Sequence, residues 1–337
     1  MDFGVFDHID SDGQNLRDFY ATRLRIVEQC ERAGFYAYHI AEHHGTPLGL
    51  APSPGLFLSA AIQRTTRMRL GPLVFILPLY DPLRLIEEIS MLDQMSGGRL
   101  ELGIGRGTSP LEAALFNSDH KQSAPRYAEA LEVILKGLTQ KTLNHEGQFY
   151  RYKDVAIELS PLQQPHPPLW IGGHSVDGAA RAARLGANYV TQDTAKGTRP
   201  YMDSYRAAWK EASPGKPLPK LGLLRFIVVA DTDAAAEKLA RRAYPKWHAA
   251  YDHLYKKNGL VHERGAKTES FDVTFTEGVR GVYGSPAKVA RELGQQAEIA
   301  GINYLVGQFS FGDLSETEVA RSVALFGSEV MPVLRDL

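Results

Sequence analysis

Residues 169–190 read LWIGGHSVDGAARAARLGANYV, and the fold follows from how this stretch is parsed. LWIGG opens as a short apolar strand. Residues 176–185 then carry a helical pattern stopped by Gly186, and ANYV returns as a strand. Strands separated by helices imply a parallel sheet, because parallel neighbours need long crossovers. The same alternation extends in both directions. Strand-like runs lie at 3–6, 36–41, 68–77, 99–104, 221–230 and 302–309, and helical patterns at 16–33, 53–64, 125–138, 199–211, 233–243, 287–300 and 315–334. One further helix has both ends marked. Asp81 caps it, Pro82 occupies its first position, Leu85, Ile86, Ile89 and Leu92 share one face, and Ser96-Gly97-Gly98 ends it.

Two stretches break the rhythm. Residues 139–168 carry many Pro and Gln, with a glycine and two tyrosines, and read as a small hairpin insertion; residues 245–284 are polar, aromatic and irregular. About eight strand–helix repeats in 337 residues, with no linker or shift in composition, predict a single domain over 1–337, a closed (β/α)8 TIM barrel. An open doubly wound sheet is the competing architecture.

Composition narrows the function. Apolar residues make up 44% and charged residues 23%, as in ordinary globular proteins. A net charge of −1 gives no basic field for nucleic acid or anionic lipid. No run approaches the roughly 18 apolar residues of a membrane helix. The start, MDFGVFDHID, has no basic segment and does not read as a secretory signal, so a soluble cytoplasmic protein is expected. A single cysteine, Cys30, excludes an internal disulfide and a cysteine-based zinc site; it reads as a small helix-packing residue.

Barrel chemistry gathers at the C-terminal ends of strands. These ends carry Asp7-His8, Glu42-His43-His44, Pro78-Leu79-Tyr80, Gly105-Arg106-Gly107 and Gly172-Gly173-His174-Ser175. The last group opens a helix. Its glycines admit close approach of a ligand, Ser175 can cap, and the helix N-terminus suits a phosphate. Arg106 can add a bidentate contact. The plain alternative is a tight turn beside a solvated arginine. A dinucleotide fingerprint fails, since Thr108 stands where a third glycine is needed. Neighbouring side chains on an extended strand end diverge, so His43 and His44 are not expected to share one task. The same geometry disfavours a metal-dependent hydrolase, although Asp7, His8 and His174 could contribute ligands. Glu42 reads as a solvated or helix-pairing carboxylate, or else as a group fixing a histidine tautomer. His8, Phe75 and Tyr80 are pocket walls or core, and Arg225 pairs with a barrel carboxylate such as Glu101 or faces a substrate acid.

Taken in order, AEHH (41–44), LDQMSGGRLELGIGRG (92–107), QPHPPLWIGGHS (164–175), GSPAKVARELGQQAEIAGINYL (284–305) and LFGSEVMPVL (325–334) resemble the bacterial luciferase-like flavin monooxygenases. The resemblance covers most of the chain. It implies a (β/α)8 barrel with an insertion after strand seven, often a lid. It also implies reduced FMN, supplied by a separate flavin reductase, and O2 as co-substrate, acting through a C4a-(hydro)peroxyflavin on a small or medium organic substrate. His43, with His44 beside it, would be catalytic. Arg106, His174, Ser175 and the backbone from Gly173 to Gly178 would hold the phosphate, beside Gly105. Leu73-Val74 matches a non-prolyl cis peptide under the flavin ring. A homodimer is expected by the same analogy. Luciferase has a cysteine where this chain has Gly105, which counts against light emission. An F420-dependent oxidoreductase of the same fold and a non-catalytic flavin-binding protein are the alternatives.

Overall fold

The computed structural model describes residues 1–11, 13–276 and 279–336. Its sheet strands are β1 (Asp2–Asp7), β2 (Ala37–Ile40), β3 (Arg69–Pro72), β4 (Phe75–Ile76), β5 (Leu102–Gly105), β8 (Leu169–Gly172), β9 (Asn188–Thr191), β10 (Leu221–Val229), β11 (Gly281–Gly284) and β12 (Tyr304–Gln308). The remaining two, β6 (Thr142–Glu146) and β7 (Arg151–Ala156), form an antiparallel hairpin within 139–168.

β3 and β4 are two halves of one stave, interrupted at Leu73-Val74. β3 pairs with β2, and β4 pairs with β5. The remaining ladders run in parallel from β5 through β8, β9, β10 and β12 to β1 and back to β2. Eight staves therefore close a ring, as the alternation of strand and helix predicts. β11 adds a ninth strand, paired only with Phe226–Val229 at the far end of β10.

Around the ring lie α1 (Leu16–Ala33), α2 (Pro54–Ile62), α3 (Pro82–Ser96), α4 (Pro110–Leu115), α5 (Ser123–Thr139), α6 (Val176–Arg184), α7 (Ala195–Ala212) and α8 (Asp233–Tyr251), followed by Pro286–Ala300 and Glu316–Leu325. Their apolar stripes and the outward strand residues make the larger core. α3 shows how local chemistry sets an element. Asp81 accepts from Leu83 N at 3.0 Å, Pro82 starts the helix, and Gly97 ends it at φ 66°. The irregular region expected from Pro245 starts later. α8 continues through Pro245 to Tyr251, because buried Tyr244, Trp247 and Ala250 anchor that face and outweigh the lost amide donor.

A smaller cluster fills the barrel itself, including Phe6, Leu73, Trp170, Leu224 and Tyr304. Trp170 and Tyr304 lie 5.0 Å apart between ring centres, and His39 packs on Trp170 at 4.8 Å. Trp170 Nε1 donates to the buried Glu101 carboxylate, which also accepts from Tyr36 and Arg69. The expected Arg225–Glu101 pair does not form. Arg225 instead donates from Nε to Gln296 Oε1 at 2.6 Å and to the carbonyls of Leu224 and Asp193, while Arg69 takes Glu101.

At the other end, buried Arg23 of α1 reaches Asp7 and Asp10 just beyond β1. Burial raises the Asp10 carboxyl to about 7, against the downward pull of Arg23. A carboxyl whose folded pKa exceeds its unfolded value near 3.9 stabilises the fold fully below that value and loses its contribution as pH rises through about 7. Urea unfolding followed from pH 5 to pH 8 should therefore show a loss of stability that Asp10→Asn removes. An unchanged slope in the variant would contradict this assignment.

Candidate active site

The rim at the C-terminal strand ends holds a cavity of about 330 Å³, at the lower end of the roughly 300–1,000 Å³ usual for ligand sites. Phe6, Leu73, Val74, Val190 and Leu224 supply apolar wall. His8, His43, Gly105, Arg106, Gly173 and His174 also line it. Leu73-Val74 is a cis peptide, at the position the resemblance implies. Gly105 faces it closely: a Cβ there would lie 2.4 Å from Val74 Cγ2, so no side chain fits without moving Val74. This accounts physically for glycine at that position.

The adjacent histidines separate as the strand geometry predicts. His43 Nδ1 is 3.1 Å from Glu112 Oε1, and its ring borders the cavity. His44 turns away. Its Nε2 lies 2.9 Å from Glu42 Oε1, its ring packs edge-on against Phe116 at 4.5 Å, and it is not part of the cavity wall. The chain folds back tightly behind the pair. A Cβ on Gly49 would sit 2.7 Å from His43 Cβ, so this loop needs glycine.

Glu42 is only 4% exposed, which rules out the solvated reading. Its second oxygen accepts from Ile76 N at 3.0 Å and Tyr80 OH at 2.9 Å. One carboxylate thus ties the end of β2 to the end of β4 and fixes His44. Tyr80 is accounted for by this bond and Phe75 by burial; neither lines the cavity. Asp7 is likewise structural, accepting from Ile9 N at 2.7 Å and Tyr38 OH at 2.6 Å.

The polar end of the cavity combines Arg106, which is exposed, with the strand-to-helix turn after β8. Ser175 Oγ accepts from Gly178 N at 3.1 Å and caps α6. Gly172, Gly173 and His174 line the cavity, and Ser175 and Gly178 do not. His174 Nδ1 is 3.0 Å from Asp193 Oδ1. Against the upward push of burial, that bond holds the Asp193 carboxyl below the usual carboxylate range. Ser123, at the start of α5, also lines the cavity; it is 3% exposed, and its Oγ has no partner among the described residues. An apolar wall beside an exposed arginine, a helix N-terminus and a hydroxyl without a partner among the described residues has the chemistry that a flavin mononucleotide needs. No group of three or more potential metal ligands occurs among the described residues.

Sequence reading missed Glu112, the partner of His43. Its signal is Ser109-Pro110-Leu111-Glu112, a helix start with serine as cap and glutamate three residues on. Ser109 does cap α4, accepting from Glu112 N at 3.2 Å, but the Glu112 side chain turns to the histidines. Trp247, Tyr251 and Gln308 also gained their places near the site from the fold alone.

A family profile described as luciferase-like monooxygenase matches residues 1–304. Among curated relatives, protein y4wF of Sinorhizobium fredii (strain NBRC 101917 / NGR234) is 41% identical, covering 98% of this chain and 96% of its own length. The oxygenase component of the flavin-dependent trigonelline monooxygenase of Acinetobacter baylyi is 28% identical over 71% of this chain and 68% of its own. Among solved structures, monooxygenase RslO1 from Streptomyces bottropensis superposes with a TM-score of 0.87 at 24% identity, covering 98% of this chain and 99% of its own. The oxygenating constituent of the Pseudomonas putida 3,6-diketocamphane monooxygenase, solved with FMN, gives 0.82 at 21% identity and covers 98% of both chains.

The Glu42 knot yields a direct expectation. Glu42→Leu strands three donors in a buried place and should lower unfolding free energy by about 3 kcal/mol in urea titration. Glu42→Gln, which keeps an acceptor oxygen, should cost less. Equal and small losses in both variants would show that the carboxylate does not hold this corner.

Proposed function

The chain belongs to the luciferase-like monooxygenase family, and from that premise we propose that its rim cavity holds reduced FMN while a small or medium organic substrate is oxygenated with O2 beside His43. The observation that carries this reading is the meeting of the Leu73-Val74 wall, Gly105 and Arg106 with the His43–Glu112 pair in one cavity. Reduced FMN, when bound, supplies the electrons that activate oxygen. The protein's own residues do the rest. Arg106, the turn at Gly173 and His174, and Ser175 at the N-terminus of α6 bind the phosphate. Phe6, Leu73, Val74 and Leu224 exclude water from the ring end. Glu112 accepts a hydrogen bond from His43 Nδ1–H, which leaves the His43 Nε2 lone pair to take a proton from the substrate. His44, outside the cavity, supports this strand end through Glu42 and is not itself assigned a proton.

A flavin reductase is the proposed partner, in keeping with the relative named as an oxygenase component. No helix among the described residues is long and apolar enough to cross a membrane, and a cytoplasmic location is proposed. A homodimer is proposed through α2 and α3, which pack together and leave Leu56, Met91 and Met95 exposed, Leu56 by 74%. Residues 252–276, which follow α8, are proposed as the lid, since Leu254, Tyr255 and His262 border a second opening that shares His43 and Glu112 with the cavity.

Titration with reduced FMN and with reduced F420 tests the cofactor: FMN should bind more tightly. Tighter F420 binding with no oxygen-dependent product would overturn the assignment. His43→Ala should lower turnover by about 10²–10⁴-fold while leaving FMN affinity nearly intact; undiminished turnover would reject its role. Light scattering should give the mass of two chains for the wild type and of one for Leu56→Glu combined with Met91→Glu.

A further inference from the structure

His8 sits one residue beyond β1 and borders the same cavity as His43. The two imidazoles stack with ring centres 5.6 Å apart and planes 22° from parallel. Phe6 packs edge-on against His8 at 4.8 Å, and Trp247 lies at 5.4 Å. His8 is 8% exposed, so its ring orientation is set by packing.

Two donors converge on one of its nitrogens. Gln308 Nε2 lies 2.9 Å from His8 Nδ1, and Trp247 Nε1 lies 3.4 Å from it. An indole N–H can only donate, and the Gln308 amide turns its N–H side to the same atom, so Nδ1 presents its lone pair to both. The proton of the neutral ring is then on Nε2, while both hydrogen bonds that His8 makes among the described residues are to Nδ1. Burial, with His43 and Arg23 adding repulsion and Gln308 opposing, holds the His8 pKa well below 6.5. The ring therefore stays neutral at working pH.

His43 has the opposite arrangement. Its Nδ1 meets a carboxylate, so its Nε2 is the bare nitrogen. The cavity is thus offered one acceptor and one donor from two stacked imidazoles. We propose that His8 presents Nε2–H as a fixed hydrogen-bond donor to a carbonyl oxygen of the substrate, beside the proton-accepting Nε2 of His43. This rests on the cavity being the substrate site argued above, and it adds the substrate class: a neutral organic molecule with a carbonyl group near the carbon that reacts. A donor locked by Trp247 and Gln308 cannot rotate away or become an acceptor, so it selects an oxygen over a methylene of equal size. A hydrocarbon would leave Nε2–H buried without a partner, which is the stronger source of discrimination.

The test uses the full chain with ¹⁵N-labelled histidine, together with the variants His8→Leu and His8→Gln. The imidazole missing from the His8→Leu spectrum should show a bare Nδ1 and a protonated Nε2 from about pH 5.5 to 8.5. Acetophenone and ethylbenzene, alike in shape, then probe the FMN-loaded protein. Relative to wild type, the ratio of their dissociation constants should move about fivefold toward ethylbenzene in His8→Leu. It should stay within about twofold in His8→Gln, whose amide N–H replaces the Nε2 donor. A bare Nε2, an unchanged ratio in His8→Leu, or no binding of acetophenone overturns the proposal. So does a loss of FMN affinity in His8→Leu at an unchanged ratio, because the donor would then serve the flavin. Failure of the wild type to bind FMN rejects the proposed function instead; the tautomer and the probe ratio, read on cofactor-free protein, then decide the role of His8 by themselves.

Discussion

The barrel is plugged from below, and everything at its upper rim depends on that plug. Trp170, Tyr304 and His39 fill the interior. Glu101 anchors them through Trp170, with Tyr36 and Arg69 satisfying its remaining acceptor capacity. The packing is tight enough that a Cβ on Gly4 would overlap the Tyr304 hydroxyl at 1.8 Å. A filled lower barrel leaves room for a ligand only where the strands end. There, short strands hand over to loops that carry His8, His43, Arg106 and His174. The plug is therefore the reason that one end of the molecule is chemistry and the other is packing.

At the rim, carboxylates position imidazoles. Glu42 and Glu112 are both nearly buried, and each serves one of two adjacent histidines. Glu112 also receives the His44 backbone N–H at 3.2 Å, which joins the two arrangements. A buried carboxylate without donors would be costly; these two are satisfied by backbone, hydroxyl and imidazole groups. Those hydrogen bonds offset the cost of burial, and one of them fixes the direction of the His43 ring. His8 is held by other means, a tryptophan and an amide, so the two stacked rings carry opposite hydrogen-bonding character on the cavity side. That asymmetry could not arise from a histidine pair in water, where both rings would exchange tautomers freely.

Much of this was legible along the chain. The βαβ stretch at 169–190 implied the parallel sheet, and the stops at Gly97 and Gly186 marked helix ends that the structure places in left-handed conformations. The placement of His43, Arg106 and the Gly173 turn at the rim was legible because strand ends in a barrel are periodic and glycine-rich turns are conspicuous. Arg225 was misread because a buried guanidinium demands partners but does not name them; Gln296, more than 70 residues away, took the Nε donor. For Glu42 the solvated reading fails and the histidine-fixing one agrees with its contact to His44, a choice the sequence left open because a glutamate in a loop is usually solvated. Only the return of Tyr80 and the Ile76 amide over it creates the buried place it fills.

The sequence by itself determined the alternation of elements, the closed parallel barrel, the rim at which ligands gather and the family. These follow from local periodicity, caps and short motifs, which are properties of neighbouring residues. Tertiary structure alone decided that His43 and His44 face different carboxylates, that Glu112 is the partner of the first, and that Trp247 and Gln308 set the tautomer of His8 from 239 and 300 residues away. A proton's position depends on which donors and acceptors meet in space. Such meetings between distant segments are created only when the ring of strands closes.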